Sequence, residues 1–221
     1  MRRRMPAAVI FDNDGLTLDT EQAWTRAEER LFARYDVAFT MDHKRELLGT
    51  SARVAAAKLE RMLGQAGAGA SLHAAMVELA LEEVSQGAPP MPGATALLAA
   101  LRGAGTPVAL ASNSPRVMLD RALAASGIAA AFDAVVCADD VAAPKPAPDV
   151  YLAAAAALEA DPRACVALED SRTGVAAGLA AGMFVIGVPS FPGVTLPDAS
   201  LVAGSLQDAA VWQAVGLVPV P

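Results

Sequence analysis

Apolar runs of strand length punctuate the chain at Ala8 to Phe11, Val108 to Ala111, Ala134 to Cys137, Cys165 to Leu168 and Met183 to Val188, with a weaker one at Leu201-Val202. Alanine-rich segments with helical spacing lie between the later runs, at Arg116 to Ala125, Asp149 to Leu158 and Thr173 to Ala181. Continuously apolar strands alternating with helices are what a parallel sheet requires, because crossover helices cover both of its faces. The pattern predicts an α/β fold.

The interval between the first two runs is too long for one crossover and lacks convincing strands. Its apolar spacing is helical at Glu21 to Tyr35, Lys44 to Leu48, Ala52 to Leu63 and Leu72 to Val84, with a glycine-rich break from Gly64 to Gly69. An inserted all-helical domain of roughly 70 residues is the economical reading. It ends at Gly87-Ala88-Pro89-Pro90-Met91-Pro92-Gly93, a composition suited to a hinge or linker. The expected division is a core of residues 1–18 and 92–221 and a helical insertion of 19–91. From Ser190 onward the pattern predicts a last strand, a short helix and a frayed tail ending Val218-Pro219-Val220-Pro221.

Composition narrows the classes of function. A chain of 221 residues can bury a substantial core, and its 54% apolar content owes much to alanine, while no window approaches the uninterrupted length of a membrane span. A net charge of −7 argues against nucleic acid as a partner, since phosphate backbones are bound by concentrated positive charge. The Met1-Arg2-Arg3-Arg4 start is too small to alter that. The apolar run after it is shorter than a signal-peptide core and has no small-residue cleavage site, so the expected location is the cytoplasm. Cys137 and Cys165 stand in or beside apolar runs without C-x-x-C spacing and are read as packing residues. Without a coiled-coil repeat, a monomer is expected.

In a parallel sheet, ligands bind at the loops that follow the carboxyl ends of the strands. Four polar motifs fall there: Asp12-Asn13-Asp14-Gly15, Ser112-Asn113, Lys145 between Pro144 and Pro146, and Glu169-Asp170. A carboxylate can attack a phosphoryl group and split one displacement into two through an acyl phosphate; Asp12 is assigned that role. Asp14 can protonate the leaving oxygen and later deprotonate the attacking water. An anionic nucleophile approaching an anionic ester needs a hard divalent cation, and Mg2+ suits an all-oxygen site built from Asp12, the backbone carbonyl of Asp14 and Asp170, with Glu169 in support. Ser112, Asn113 and the amides after Ser112 are assigned to phosphoryl oxygens, and Lys145, one of only three lysines, to charge neutralisation.

Each motif alone has a plainer reading. The acidic run does not match an EF-hand loop, but alone it could be an Asx turn. Ser112 could cap the helix starting near Pro115, Lys145 could be a solvated loop charge, and Glu169-Asp170 a helix-start pair. Their joint occurrence favours the site. His43 and His73, both in the insertion without metal-like spacing, are given no role.

Phe11 through Glu21, Leu110-Ala111-Ser112-Asn113-Ser114, Lys145-Pro146 through Tyr151, Glu169-Asp170-Ser171 through Val175 and Ala180-Ala181-Gly182-Met183 together resemble the haloacid dehalogenase-like hydrolases. The likeness is strongest to the branch containing phosphoglycolate phosphatase and beta-phosphoglucomutase. It implies a Rossmann-like three-layer core, a helical cap inserted after the first motif, and magnesium-dependent hydrolysis of a small phosphorylated metabolite such as a sugar, nucleoside or related 5'-phosphate. Leu16-Thr17 inverts the common order of those residues and Pro144 replaces a frequent glycine; neither removes a catalytic group. Mutase members of the family carry a histidine early in the cap and a lysine and arginine flanking a cap glycine. The matching positions here are Trp24, Leu48 and Ala52, around Gly49-Thr50-Ser51, which favours a phosphatase over a phosphosugar mutase; a dehalogenase needs no magnesium site and no Asp14, and intact Asp12, Asp14, Lys145 and Asp170 speak against a catalytically silent binding protein. Trp24, Leu48, Gly49, Thr50 and Ser51 are candidate cap specificity residues, and the first two suggest tolerance of an aromatic or apolar substrate group, with core packing as their plainer role.

Overall fold

The computed structural model describes residues 5–191 and 193–218. The arginine-rich start and the Pro219-Val220-Pro221 end lie outside the described residues. Six strands form one sheet: β1 (Val9–Phe11), β2 (Val108–Ala111), β3 (Ala134–Val136), β4 (Val166–Glu169), β5 (Phe184–Gly187) and β6 (Leu201–Val202). Their order is β3-β2-β1-β4-β5-β6, every pair is parallel, and Phe11 aligns with Leu110 on one side and Leu168 on the other. The chain leaves β1 towards β2 and β3, then returns to β1's other flank for β4. The crevice beside β1 is therefore a switch point, where the loops on either side diverge and leave room for a ligand.

Alternation along the strands divides the interior into two cores. Val9, Phe11, Val108, Leu110, Val166 and Leu168 face one, while Ile10, Ala109, Ala111 and Ala167 face the other. Helices α5 (Ala94–Gly103), α6 (Arg116–Ser126) and α9 (Ala209–Ala214) cover the first face through residues such as Leu97, Leu119 and Val211. Helices α7 (Asp149–Ala157) and α8 (Arg172–Ala180) cover the second through Tyr151, Ala154, Val175 and Ala177. The result is the three-layer α/β core expected from the motifs. Helix α5 is not among the segments singled out above, although Leu97, Leu98 and Leu101 give it a buried helical face. Its signal sits directly against the Pro- and Gly-rich stretch, whose composition masks the helix start.

Between β1 and α5 lie α1 (Glu21–Ala33), α2 (Met41–Leu47), α3 (Ala52–Leu63) and α4 (Gly69–Val84). Helix α4 packs against both α1 and α3, burying Leu31, Phe32, Leu59, Leu72, Met76 and Leu79. His43 has a local structural role: it completes a capping box with Thr40 at the start of α2, and its ring lies 4.9 Å from that of Phe32. The two chain crossings into this helical segment run side by side. Asp19 N–H donates to Pro89 (2.8 Å) and Met91 N–H to Thr17 (2.9 Å), so the proline-rich stretch is tied to the incoming strand by backbone bonds.

Leu79→Ala should remove a buried anchor shared by the helices of this segment and lower stability by about 2–5 kcal/mol. Urea denaturation of the two proteins measures the difference.

Candidate active site

Asp12 follows β1 and keeps the sheet register, its N–H donating to Leu168 (2.9 Å). The chain then turns back on itself, with Thr17 and Leu18 N–H groups both donating to Asn13 at 3.0 Å. Gly15 makes the turn possible. Its φ is +81°, and a Cβ there would lie 2.5 Å from Asp170 Oδ2. Glycine thus lets the first and last motifs close on each other.

Lys145 is the centre of the cluster. It is buried, and its Nζ reaches Asp12 Oδ1 (2.5 Å), Glu169 Oε1 (2.6 Å) and the Ala111 carbonyl (2.9 Å). Burial opposes its charge, but the two carboxylates outweigh burial and hold its pKa above the ordinary value. The lysine stays charged. Asn113 grips its backbone on both sides: Lys145 N–H donates to Asn113 Oδ1 (2.8 Å), and Asn113 Nδ2 donates to the Lys145 carbonyl (3.1 Å). The Asn113 amide is thereby engaged by the backbone of Lys145.

Glu169 is fully enclosed. Oε1 accepts from Lys145 and from the Tyr151 hydroxyl (2.6 Å), while Oε2 accepts from the Ser171 hydroxyl (3.1 Å) and the Asp170 N–H (3.2 Å). Gly174 of α8 stands against this carboxyl so closely that a Cβ would sit 1.8 Å from Oε1. Tyr151 carries no role in the sequence reading. Its position in the motif after Lys145, on the inward face of α7, is the signal that could have found it.

Asp14 is oriented by hydroxyls. Thr20 Oγ1 donates to Oδ1 (2.6 Å), and Ser114 (2.7 Å) and Ser112 (3.1 Å) donate to Oδ2. Ser112 is completely buried and turned to Asp14, and the serine of that loop lining the cavity is Ser114. Nor does Ser112 cap α6, whose N-cap is Pro115 without a side-chain bond. A carboxylate next to two hydroxyls of one loop draws both, which the spacing of the loop alone does not reveal.

Oxygens of Asp12, Glu169 and Asp170 lie within 4.8 Å of one another. Burial raises the pKa of Asp12 well above the usual carboxylate range against the pull of Lys145, and burial with the charges of Asp12 and Glu169 does the same for Asp170. Three buried carboxylates balanced by one lysine leave excess negative charge on an all-oxygen donor set, which suits a hard divalent cation. Glu169, already engaged by five donors, is less available to it than Asp12 and Asp170. The metal role expected of Asp14 rests on its backbone carbonyl, because its side chain is held by the hydroxyls.

The cavity above these groups measures roughly 850 Å³ with its open mouth. Trp24, Leu48, Gly49 and Thr50 line its far wall; Ser51 does not, and stands at the N-cap of α3. Trp24 also packs against the main core. Thr173 Oγ1 donates to the Gly49 carbonyl (2.8 Å), joining the helical segment to the start of α8 across the mouth. Four further ionisable residues of the wall carry no role in the sequence reading: Glu21, Glu28, Lys44 and His73. Glu21 and Glu28 are two turns apart on one face of α1, and Lys44 is a scarce lysine on the inner side of α2, so a pattern was present. Burial lowers the pKa of His73.

A family profile for haloacid dehalogenase-like hydrolases matches residues 6–182. The chain belongs to that family. Among relatives of this hydrolase, Protein CbbY of Rhodobacter capsulatus is 34% identical over 193 residues, spanning 83% of this chain and 85% of the relative. Hexitol phosphatase B of Escherichia coli K12 is 35% identical over 191 residues, spanning 85% of each. A crystal structure of CbbY from Rhodobacter sphaeroides in complex with xylulose-(1,5)bisphosphate superposes with a TM-score of 0.80 at 27% identity, covering 93% of this hydrolase and 96% of the other chain. These matches agree with the expectation of a phosphoric monoester hydrolase. No helix among the described residues is long and apolar enough to cross a membrane.

Gly174→Ala should force Glu169 away from Lys145; a fall in thermal stability together with at least a tenfold loss of activity is expected, by calorimetry and steady-state kinetics, roughly the effect of losing one charged hydrogen bond. A second prediction concerns Glu28, whose pKa burial raises from 4.5 to about 7 against the pull of Lys44. A raised carboxyl pKa stabilises the folded state fully below about pH 4.5 and loses that contribution as pH rises through 7. Relative to Glu28→Gln, the parent enzyme should therefore lose up to about 3 kcal/mol between those limits, read from melting curves at pH 4.5 and 7.5.

Proposed function

We propose that this hydrolase is a magnesium-dependent phosphatase that cleaves a small phosphorylated metabolite through an aspartyl-phosphate on Asp12. The observation that carries the reading is the position of Asp12 at the switch point, with Lys145 bonded to Oδ1 and the other oxygen left for phosphorus. Asp12 attacks phosphorus, the ester oxygen departs with its electron pair, and Asp14 gives that oxygen a proton. Asp14 then takes a proton from water, which attacks phosphorus, breaks the bond to Asp12 and releases inorganic phosphate. Thr20, Ser112 and Ser114 hold Asp14 in orientation for both transfers, and the Asn113 N–H binds a phosphoryl oxygen. Mg2+, held by Asp12, Asp170 and the Asp14 carbonyl, would supply the charge neutralisation that an incoming phosphate dianion needs.

Residues 19–91 act in this reading as a cap over the core formed by 1–18 and 92–221, with the paired segments at 17–19 and 89–91 as its hinge. Trp24, Leu48 and Ala52 line the wall where a mutase would place cationic groups, which supports hydrolysis over intramolecular transfer. The relative named hexitol phosphatase B supports the same choice. A substrate of sugar-phosphate or nucleoside-phosphate size fits the cavity. The expected monomeric state and cytoplasmic location belong to the same proposal and rest on the sequence.

Phosphate release from a panel of sugar, nucleoside and aromatic phosphates should require Mg2+ and cease in a chelator. Asp12→Asn should lower turnover by at least about 1000-fold on every ester. Turnover undiminished in that variant, or dependent on an added bisphosphate, would remove the assignment.

A further inference from the structure

The loop after β5 touches the carboxylate cluster through one side chain that the motifs and the proposed reaction leave unused. Val188 N–H donates to the Glu169 carbonyl (2.7 Å), which carries the β4–β5 pairing past the strand ends and sets the next residues of the loop beside Asp170. Arg172, just beyond Asp170 in the chain, holds the far end of the loop, its Nε donating to the Thr195 carbonyl (2.9 Å) and its Nη2 to Thr195 Oγ1 (2.7 Å). Between these anchors, Ser190 Oγ donates to Asp170 Oδ2 (2.6 Å). The bond fits only because Gly15 leaves room for it: a Cβ there would lie 2.5 Å from Asp170 Oδ2 and 2.7 Å from Ser190 Oγ.

The three carboxylates of the cluster are held unequally. Lys145 bonds to Asp12 and Glu169, and Tyr151 and Ser171 add to Glu169, but among the described residues Ser190 is the one donor to the Asp170 carboxyl. Mg2+ demands near-ideal octahedral geometry, so a carboxylate free to rotate is a poor ligand for it. From this arrangement we infer that Ser190 is a positioning residue for the metal, its hydroxyl fixing the plane of the Asp170 carboxyl and thereby raising the affinity of the enzyme for Mg2+. The inference rests on the metal site of the phosphatase reading. Ser190 does not line the cavity, so it acts through Asp170 and not on a substrate. A hydroxyl suits the task. It gives Oδ2 one proton, which leaves the second oxygen and a further lone pair on the first for a cation. Being neutral, it orients Asp170 without cancelling the negative charge that attracts the cation, as a lysine or arginine in its place would.

The test is a calorimetric titration of the full-length enzyme with MgCl2 in the absence of substrate. Ser190→Ala should raise the Mg2+ dissociation constant by about 10- to 100-fold, the usual cost of removing a group that orients a metal ligand, and Ser190→Thr, which keeps the hydroxyl, should stay within about threefold of the parent. Melting temperatures measured in a chelator separate this from a general loosening, because a purely structural serine would lower the metal-free melting temperature and leave the dissociation constant alone. An unchanged dissociation constant in Ser190→Ala, or an equal loss in Ser190→Ala and Ser190→Thr, overturns the inference. Ser190→Gly also lacks the hydroxyl and is read in the same way if Ser190→Ala does not fold. Mg2+ binding that Ser190→Ala leaves unmoved, in an enzyme that releases phosphate, rejects the inference alone. The expected loss of affinity in an enzyme that hydrolyses no ester supports the inference and rejects the phosphatase reading alone. A parent enzyme that binds no Mg2+ overturns both.

Discussion

A lysine ammonium enclosed between two carboxylates is the interaction on which the rest of this structure depends. Lys145 joins Asp12 at the end of β1 to Glu169 at the end of β4, strands neighbouring in the sheet but far apart in sequence. Leaving the lysine charge buried without its acidic partners would cost several kcal/mol, so Lys145 and Asp12 each favour the other's ionised form. The same geometry has a chemical result. It pins one oxygen of Asp12, and in the proposed reaction the other meets the substrate.

The surrounding polar groups serve that arrangement. Asn113 fixes the backbone that carries Lys145, Tyr151 and Ser171 complete the shell of Glu169, and Gly174 keeps α8 close enough for the shell to form. Gly15 allows the first loop to approach Asp170. Small residues here set distances between charges, and rigid strand ends hold those distances. Catalytic preorganisation in this fold is thus a matter of packing as much as of the reactive groups themselves.

Across the cavity, the helical segment repeats the motif of a lysine between two acids in a different setting. Around Lys145 the carboxylates are saturated or oriented by donors of the core. Around Lys44 the nearest oxygens of Glu21 and Glu28 lie 2.8 and 3.1 Å from the ammonium. The first cluster sits at the strand ends of the core, and the second stands on the cavity wall formed by the helical segment. The Thr173 to Gly49 bond brings the two poles into one enclosure.

Much of this was legible in the residue pattern, and for physical reasons. Strands buried on both faces must read as apolar runs, so β1, β2 and β4 announced themselves, while the edge strand β6, with Val202 exposed, gave only a weak run. A parallel sheet must put its strand ends on one edge, so Asp12, Asp14, Lys145 and Asp170 could be gathered before any coordinates. Side-chain commitments were not legible. That Ser112 turns to Asp14 while Ser114 faces the cavity, that Asn113 holds a backbone, and that Tyr151 completes Glu169 depend on distances of a few tenths of an ångström between segments far apart in the chain. The Glu21, Glu28 and Lys44 pole shows the limit most clearly. Helical spacing places two acids on one face of α1, but only the docking of α2 against that face decides that a lysine sits between them.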